Sequence, residues 1–210
     1  MLEIKNLQVN YKNQTVLHHL NLNVEEGSVF GLLGKNGAGK TTLFESLYQS
    51  KKHEGEILWQ GKKLVRENIS YLETDNFFYP YITGKEYLQY FTSDKKQVQE
   101  WSEIFSLPLD KYVQDYSTGM KKKIALVGML LLNKPVNILD EPFNGVDFEG
   151  VNLLYDVISQ LKNENKLIII SSHIIETLFN TCDKIGVLKE GRIDHIFVKE
   201  DFHQLKSYSF

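Results

Sequence analysis

Cysteine is almost missing from this chain of 210 residues. Cys182 stands alone, so no internal disulfide can brace the fold, and it reads as a small buried hydrophobe of a reducing compartment. Long apolar runs are missing too. The longest, residues 124–132, falls far short of the ~20 residues that a membrane-spanning helix needs, so the expectation is a soluble chain that another chain must hold at any membrane. MLEIKNLQVNY at the start alternates apolar and polar positions and carries Glu3, which excludes a secretory leader there. Surplus positive charge is absent: the formal net charge is -3, leaving nothing to capture nucleic acid or anionic lipid electrostatically. Asn-Lys-x-Asp, the run that reads guanine in GTP-binding switch proteins, is absent as well, since NKPV at 133–136 lacks the acid. Internal repeats, low-complexity tracts and flexible linkers are not found.

What remains has the balance of an ordinary globular domain, 42% hydrophobic and 24% charged, long enough to bury a substantial core. Leu2, Ile4, Val9 and Tyr11 fall on roughly alternate positions, and Leu20, Leu22 and Val24 alternate strictly, the pattern of one-sided sheets. SVFGLL (28–33), VNILDEP (136–142) and KLIIISSH (166–173) hold short continuous apolar runs, as strands buried on both faces do. Between about Asp75 and Lys134 the pattern turns helical: GKEYLQYF, QVQEWSEIF and GMKKKIALVGMLLL lack strand alternation. Val151, Leu154, Tyr155, Ile158 and Leu161 recur at the spacing of an amphipathic helix. The expectation is an α/β chain forming one domain over 1–210. Residues 1–74 and 135–210 would supply the α/β core and a β-subdomain, and 75–134 an inserted helical subdomain.

GLLGKNGAGKTTL, residues 31–43, fits G-x-x-x-x-G-K-[ST], with Gly34 and Gly39 as the fixed glycines before Lys40 and Thr41. It runs from an apolar strand pattern into the helical spacing of KTTLFESLYQ, and strand, glycine loop and helix together make a phosphate site. Gly34, Gly37 and Gly39 are expected to take backbone angles that a Cβ would forbid. N–H groups across Gly34, Lys35, Asn36, Gly37, Ala38, Gly39, Lys40, Thr41 and Thr42 could then converge on phosphate oxygens, helped by the helix dipole. Lys40 supplies a mobile cation, and the Thr41 hydroxyl suits Mg²⁺.

VNILDEP ends an apolar strand on Asp140 and Glu141. Adjacent strand residues point to opposite sides, so the two acids need different partners. Asp140 is placed to hold Mg²⁺ beside Thr41, and Glu141 to orient and deprotonate a water attacking the terminal phosphate.

YSTGMKKKIAL (116–126), taken with the glycine loop, ILDEPFNGVD and IISSH, resembles the ATP-binding cassette (ABC) ATPase family from Leu2 to about Ile196. The resemblance implies a P-loop NTPase (RecA-like) core with an N-terminal antiparallel β-subdomain and an inserted helical subdomain. It also implies ATP and Mg²⁺ as ligands. Tyr11 matches the family's adenine-stacking aromatic. Ser117 and Gly119 match a signature that contacts the γ-phosphate bound by the opposite subunit, and Ser117 reads equally as a helix N-cap. Asp147 resembles a loop residue that communicates across a dimer, and His173 the histidine that hydrogen-bonds the γ-phosphate. The function implied is the ATP-hydrolysing subunit of an ABC transporter, cytoplasmic and peripheral on the cytoplasmic face of the membrane. Its partners would be a separate transmembrane permease and a second ATP-binding subunit, identical or different, with no nucleic acid. The small size and the style of the glycine loop lean toward an exporter. The alternative is a soluble ABC ATPase acting on ribosomes or DNA, although such proteins usually fuse two cassettes or insert long helical arms.

Three departures from the family pattern stand out. Thr74 occupies the place of a glutamine that normally reaches Mg²⁺ and the attacking water, and its flanking acids Glu73 and Asp75 are alternative substitutes. Thr118 and Met120 replace the commonest signature Gly and Gln, and Lys121, Lys122 and Lys123 after them read as a solvated helix face. NFFYPY (76–81) clusters aromatics beside the altered loop. Phe77, Phe78, Tyr79 and Tyr81 either form a groove for a cytoplasmic helix of the membrane partner or pack between the two lobes.

Overall fold

Alternation along three central strands builds two cores at once. In the computed structural model, which describes residues 1–11 and 14–208, Phe30, Leu32, Val136, Ile138, Leu167 and Ile169 face one apolar cluster. Val29, Leu33, Leu139, Ile168 and Ile170 face the other. Such residues are what a parallel sheet covered on both faces requires.

The chain runs β1 (Leu2–Tyr11), β2 (Gln14–Val24), β3 (Val29–Leu33), α1 (Lys40–Leu47), β4 (Glu54–Trp59), β5 (Lys62–Lys63), β6 (Ile69–Leu72). It continues α2 (Gly84–Gln89), α3 (Lys95–Ile104), α4 (Thr118–Leu131), β7 (Val136–Asp140), α5 (Phe148–Asn163), β8 (Leu167–Ser172), α6 (Ile175–Thr181), β9 (Lys184–Lys189) and β10 (Arg192–Val198). The first sheet is antiparallel in the order β2-β1-β4-β5; the second has the order β10-β9-β3-β8-β7-β6, parallel except where β10 pairs with β9. Leu2, Ile4, Leu7 and Val9 of β1, with Leu20, Leu22 and Val24 of β2, pack against the second sheet and α1. This is the expected α/β fold with an N-terminal antiparallel subdomain and helices inserted between β6 and β7.

The inserted helices begin where polar caps sit. Thr83 and Glu86 form a reciprocal capping box at α2, Asp94 caps α3, and Ser117 caps α4 by accepting from the Met120 N–H. From Ile124 onward α4 is buried on almost every side, because it packs on α2 and α3 and also on β6. In α5 the buried stripe is Leu154, Val157, Ile158 and Leu161, whereas Val151 and Tyr155 are only half-buried. Val157, three residues beyond Leu154, thus carries part of the contact expected of Tyr155. Cys182 is buried, and burial pushes its thiol up to about 12, so it packs as a neutral hydrophobe. Among the described residues no helix is long and apolar enough to cross a membrane.

Candidate active site

Parallel β3, β8 and β7 lie side by side and release their chains at one edge, where open α/β sheets place ligands. A cavity of ≈ 1010 Å³ opens there. It is lined by Gly34 to Gly37 and Gly39 to Thr42 after β3, by Asp140 and Glu141 after β7, and by His173 after β8. Tyr11, Gln14, Val16, Glu45, Tyr71, Glu73, Thr74, Asp75 and Asn144 complete the wall. Ala38 sits half-buried behind the loop, its carbonyl accepting from the Gly191 N–H at 3.2 Å.

The glycines act for two reasons. Gly37 and Gly39 have φ of 82° and 107°, in the left-handed region that a side chain resists. Gly34 corrects the sequence expectation, because its φ is not positive. A Cβ there would lie 2.7 Å from the Leu188 carbonyl oxygen, so it is glycine for close approach to β9. α1 opens on Gly39 with no side-chain cap, unlike α2 to α5, and no acid stands in its first turn. Its N-terminal amides and positive dipole end therefore meet the cavity unopposed. Lys40 Nζ donates to the Gly34 carbonyl at 2.6 Å and lies 4.0 Å from Glu141 Oε1.

Hydroxyls organise Asp140. Thr41 Oγ1 donates to Oδ2 at 3.0 Å and Ser171 Oγ to Oδ1 at 2.5 Å, with Tyr71 Oη 3.5 Å from Oδ2. Burial first, and then the Asp140 carboxylate, hold the Tyr71 phenol well above its ordinary value, so it stays a neutral donor. Thr41 and Asp140 offer hard oxygens side by side, and no group of three or more His, Cys, Asp or Glu among the described residues forms a cage. That donor set fits Mg²⁺, which keeps waters and takes one or two carboxylates plus phosphate oxygens.

Glu141 is not the next residue of a strand, as its spacing beside Asp140 suggested. β7 stops at Asp140, and Glu141 has a left-handed φ of 51°. Its N–H donates to Ser171 Oγ at 2.9 Å, and its Oε2 lies 2.8 Å from His173 Nδ1. Thr74 Oγ1 reaches the Asp140 carbonyl at 3.4 Å, and Glu73 and Asp75 line the cavity on either side of it. Tyr11 stands at the mouth, with its hydroxyl donating to Glu45 at 3.1 Å and Lys51 Nζ 3.4 Å over its ring.

Ser117, Gly119 and Asp147 line none of this cavity. Asp147 caps α5 through the Gly150 N–H, which holds its carboxyl below the usual range, with Lys123 adding to the effect. Gly119 has no packing reason in this chain to be glycine: a Cβ would meet only the Gly145 carbonyl oxygen at an ordinary 3.5 Å.

The lysine run departs from its expected solvated face. All three are half-buried. Lys121 donates to the Gln114 carbonyl at 3.0 Å, Lys122 to the Glu141 carbonyl at 3.4 Å, and Lys123 pairs with Asp147 at 3.6 Å. The aromatic cluster divides as well. Phe77, Tyr79 and Tyr81 are 75%, 66% and 73% exposed, while Phe78 turns inward against Tyr87. Tyr71, Gln14, Glu45 and Asn144 had no signal in the sequence, because only the fold brings them to the cavity.

An uncapped helix behind a glycine loop, facing a buried Asp and Glu at the end of β7, defines a P-loop nucleotide site. The family described as ABC transporter matches residues 17–144. The chain is 33% identical over its whole length to the bacitracin transport ATP-binding protein BcrA of Enterococcus faecalis, covering 73% of that protein. It is 32% identical to the lantibiotic transport ATP-binding protein SrtF of Streptococcus pyogenes, over 92% of this chain and 89% of SrtF. An ATP-binding subunit of an ABC transporter superposes with a TM-score of 0.89 at 27% identity, covering 99% of this chain and 93% of the other. The chain belongs to the ABC transporter family and is an ATP-binding protein of that family. ATP hydrolysis is general to it.

Proposed function

We propose that this chain is the ATP-hydrolysing subunit of an ABC exporter, bound to a separate permease at the cytoplasmic face of the membrane. In this reading it closes with a second ATP-binding subunit around two Mg·ATP. The observation that carries it is the split of the site. Glu141, His173 and the glycine loop share one cavity, while Ser117 and Gly119 lie outside its lining, at a helix tip suited to phosphate. A tip with no phosphate of its own can complete a neighbour's site. Export is the proposed direction on the similarity to relatives named for bacitracin and lantibiotic transport. The single-domain reading, with 75–134 as the helical insertion, belongs to the same proposal and is supported by the caps that open α2, α3 and α4.

The residues divide the chemistry. Loop amides, the α1 dipole and Lys40 bind the β- and γ-phosphates, and Tyr11 offers its ring to the base. Mg²⁺, held by Thr41 and Asp140 with Thr74 close by, would neutralise charge on the phosphate oxygens. Glu141 orients a water in line with the γ-phosphorus and takes its proton as the new O–P bond forms. The bond from phosphorus to the β–γ bridging oxygen breaks, and ADP leaves with that oxygen's electron pair. His173 holds the Glu141 carboxylate, and its second ring nitrogen is the group proposed to meet the γ-phosphate. Asp147 and Lys123 tie α5 to α4 beside the proposed interface. Detergent extraction of native membranes tests this reading, with co-purification of an integral membrane protein expected. A salt-sensitive RNA or ribosome association in its place would contradict it.

A further inference from the structure

Glu141 sits in the left-handed region, which a residue with a Cβ occupies only where its surroundings over-determine it. Three contacts pin its backbone. Its N–H donates to Ser171 Oγ, its carbonyl accepts the Asn144 N–H at 3.2 Å, and the same carbonyl lies 3.4 Å from Lys122 Nζ. Two of these come from β8 and from the turn itself. The third arrives from α4, the helix that Ser117 opens, so Lys122 is the one link from the helical insertion to the backbone of this acid among the contacts described. It stands five residues beyond Ser117, about 7.5 Å along the axis.

We infer that Lys122 is a positioning residue: its ammonium holds the Glu141–Asn144 turn from α4, so the attitude of that helix sets the direction of the Glu141 carboxylate. A half-buried ammonium on a neutral carbonyl is a costly choice unless acids share it. Burial lowers the Lys122 ammonium from its ordinary value, while Asp75, Glu141 and Asp140 pull the other way. Asp75 also lines the cavity beside Thr74, so the cation is within electrostatic reach of that loop as well as of Glu141. A shift of α4 would then be felt at Glu141 through a single charged contact, without passing through the phosphate loop.

The inference rests on the hydrolytic reading above, and its test separates the two. Lys122→Met keeps the stem and removes the charge; Lys122→Arg keeps the charge. Amide exchange at Asn144, followed by NMR on the full chain without nucleotide, is expected to quicken at least about fivefold in the Met variant and to return toward the parent in Arg. Turnover of Mg·ATP is expected to fall about tenfold in Met, with nucleotide affinity within about twofold and substantial recovery in Arg. Unchanged Asn144 exchange, unchanged turnover, or equal losses of affinity and turnover would overturn the role. Failure of the hydrolytic reading looks different: parent and Glu141→Gln would then turn over ATP equally, whatever Lys122 does to exchange.

Discussion

At the scale of single residues, three positions separate shape from chemistry. Gly34→Ala places a methyl 2.7 Å from a main-chain oxygen of β9, which cannot step aside as a flexible side chain would. The expected cost is about 1–3 kcal/mol, read as a lower thermal midpoint together with weaker ATP binding. Lys40→Ala removes a buried stem together with its charge-assisted contact to the loop. It should weaken ATP binding about tenfold or more by calorimetry, and undiminished affinity would contradict its phosphate role. Thr74→Ala removes a hydroxyl from the Asp140 carbonyl. Permease-stimulated turnover should suffer more than basal turnover, and equal losses would deny Thr74 a coupling role. The meeting of Gly34, Lys40, Asp140 and Glu141 at one cavity was legible in the sequence, because the glycine loop and the acid pair each close a continuous apolar strand pattern. Lys122 was not. Three identical lysines in a row carry no mark of which one meets a carbonyl brought from another element, and the left-handed turn at Glu141 is equally silent in DEP.

At the scale of elements, caps mark where α2 to α5 start, whereas α1 opens on the cavity with neither a side-chain cap nor an acid in its first turn. Asp94 and Ser117 perform the same structural task at α3 and α4. Asp94→Ala and Ser117→Ala should therefore each cost about 0.5–2 kcal/mol of stability. Only Ser117→Ala should also weaken nucleotide-dependent association of two chains, as measured by light scattering. Equal association in the two variants would reduce Ser117 to a cap. Strands β3, β7 and β8 were readable as continuous apolar runs, because burial on both faces leaves no polar position. The stripe of α5 was readable in outline but shifted in detail. Tyr155 keeps its hydroxyl near the surface, where Asn180 reaches it at 3.4 Å, so Val157 takes the deeper place.

Across the whole molecule, the exposed aromatics of 77–81 are the surface that the proposed permease would use. Phe77 and Tyr79 meet edge to face at 5.2 Å, yet both are largely exposed, which a folded monomer gains little by maintaining. Replacing both with Ala should leave the thermal midpoint within about 1 °C while lowering permease-stimulated turnover. Phe78→Ala should instead destabilise the helical insertion, since Phe78 packs on Tyr87. The sequence showed that aromatics cluster at 76–81 but could not say which of them turn inward, because that depends on where α2 lies.

In the proposed assembly two chains sandwich ATP, each lending Ser117 and Gly119 to its neighbour's phosphates. Glu141→Gln should keep binding while slowing hydrolysis by two to four orders of magnitude or about that, and so hold the closed state. Sedimentation of this variant at saturating Mg·ATP distinguishes the sandwich from a lone chain. A dimer carrying two ATP, lost on Ser117→Ala, is the expected result; a monomer with ATP fully bound would contradict the account.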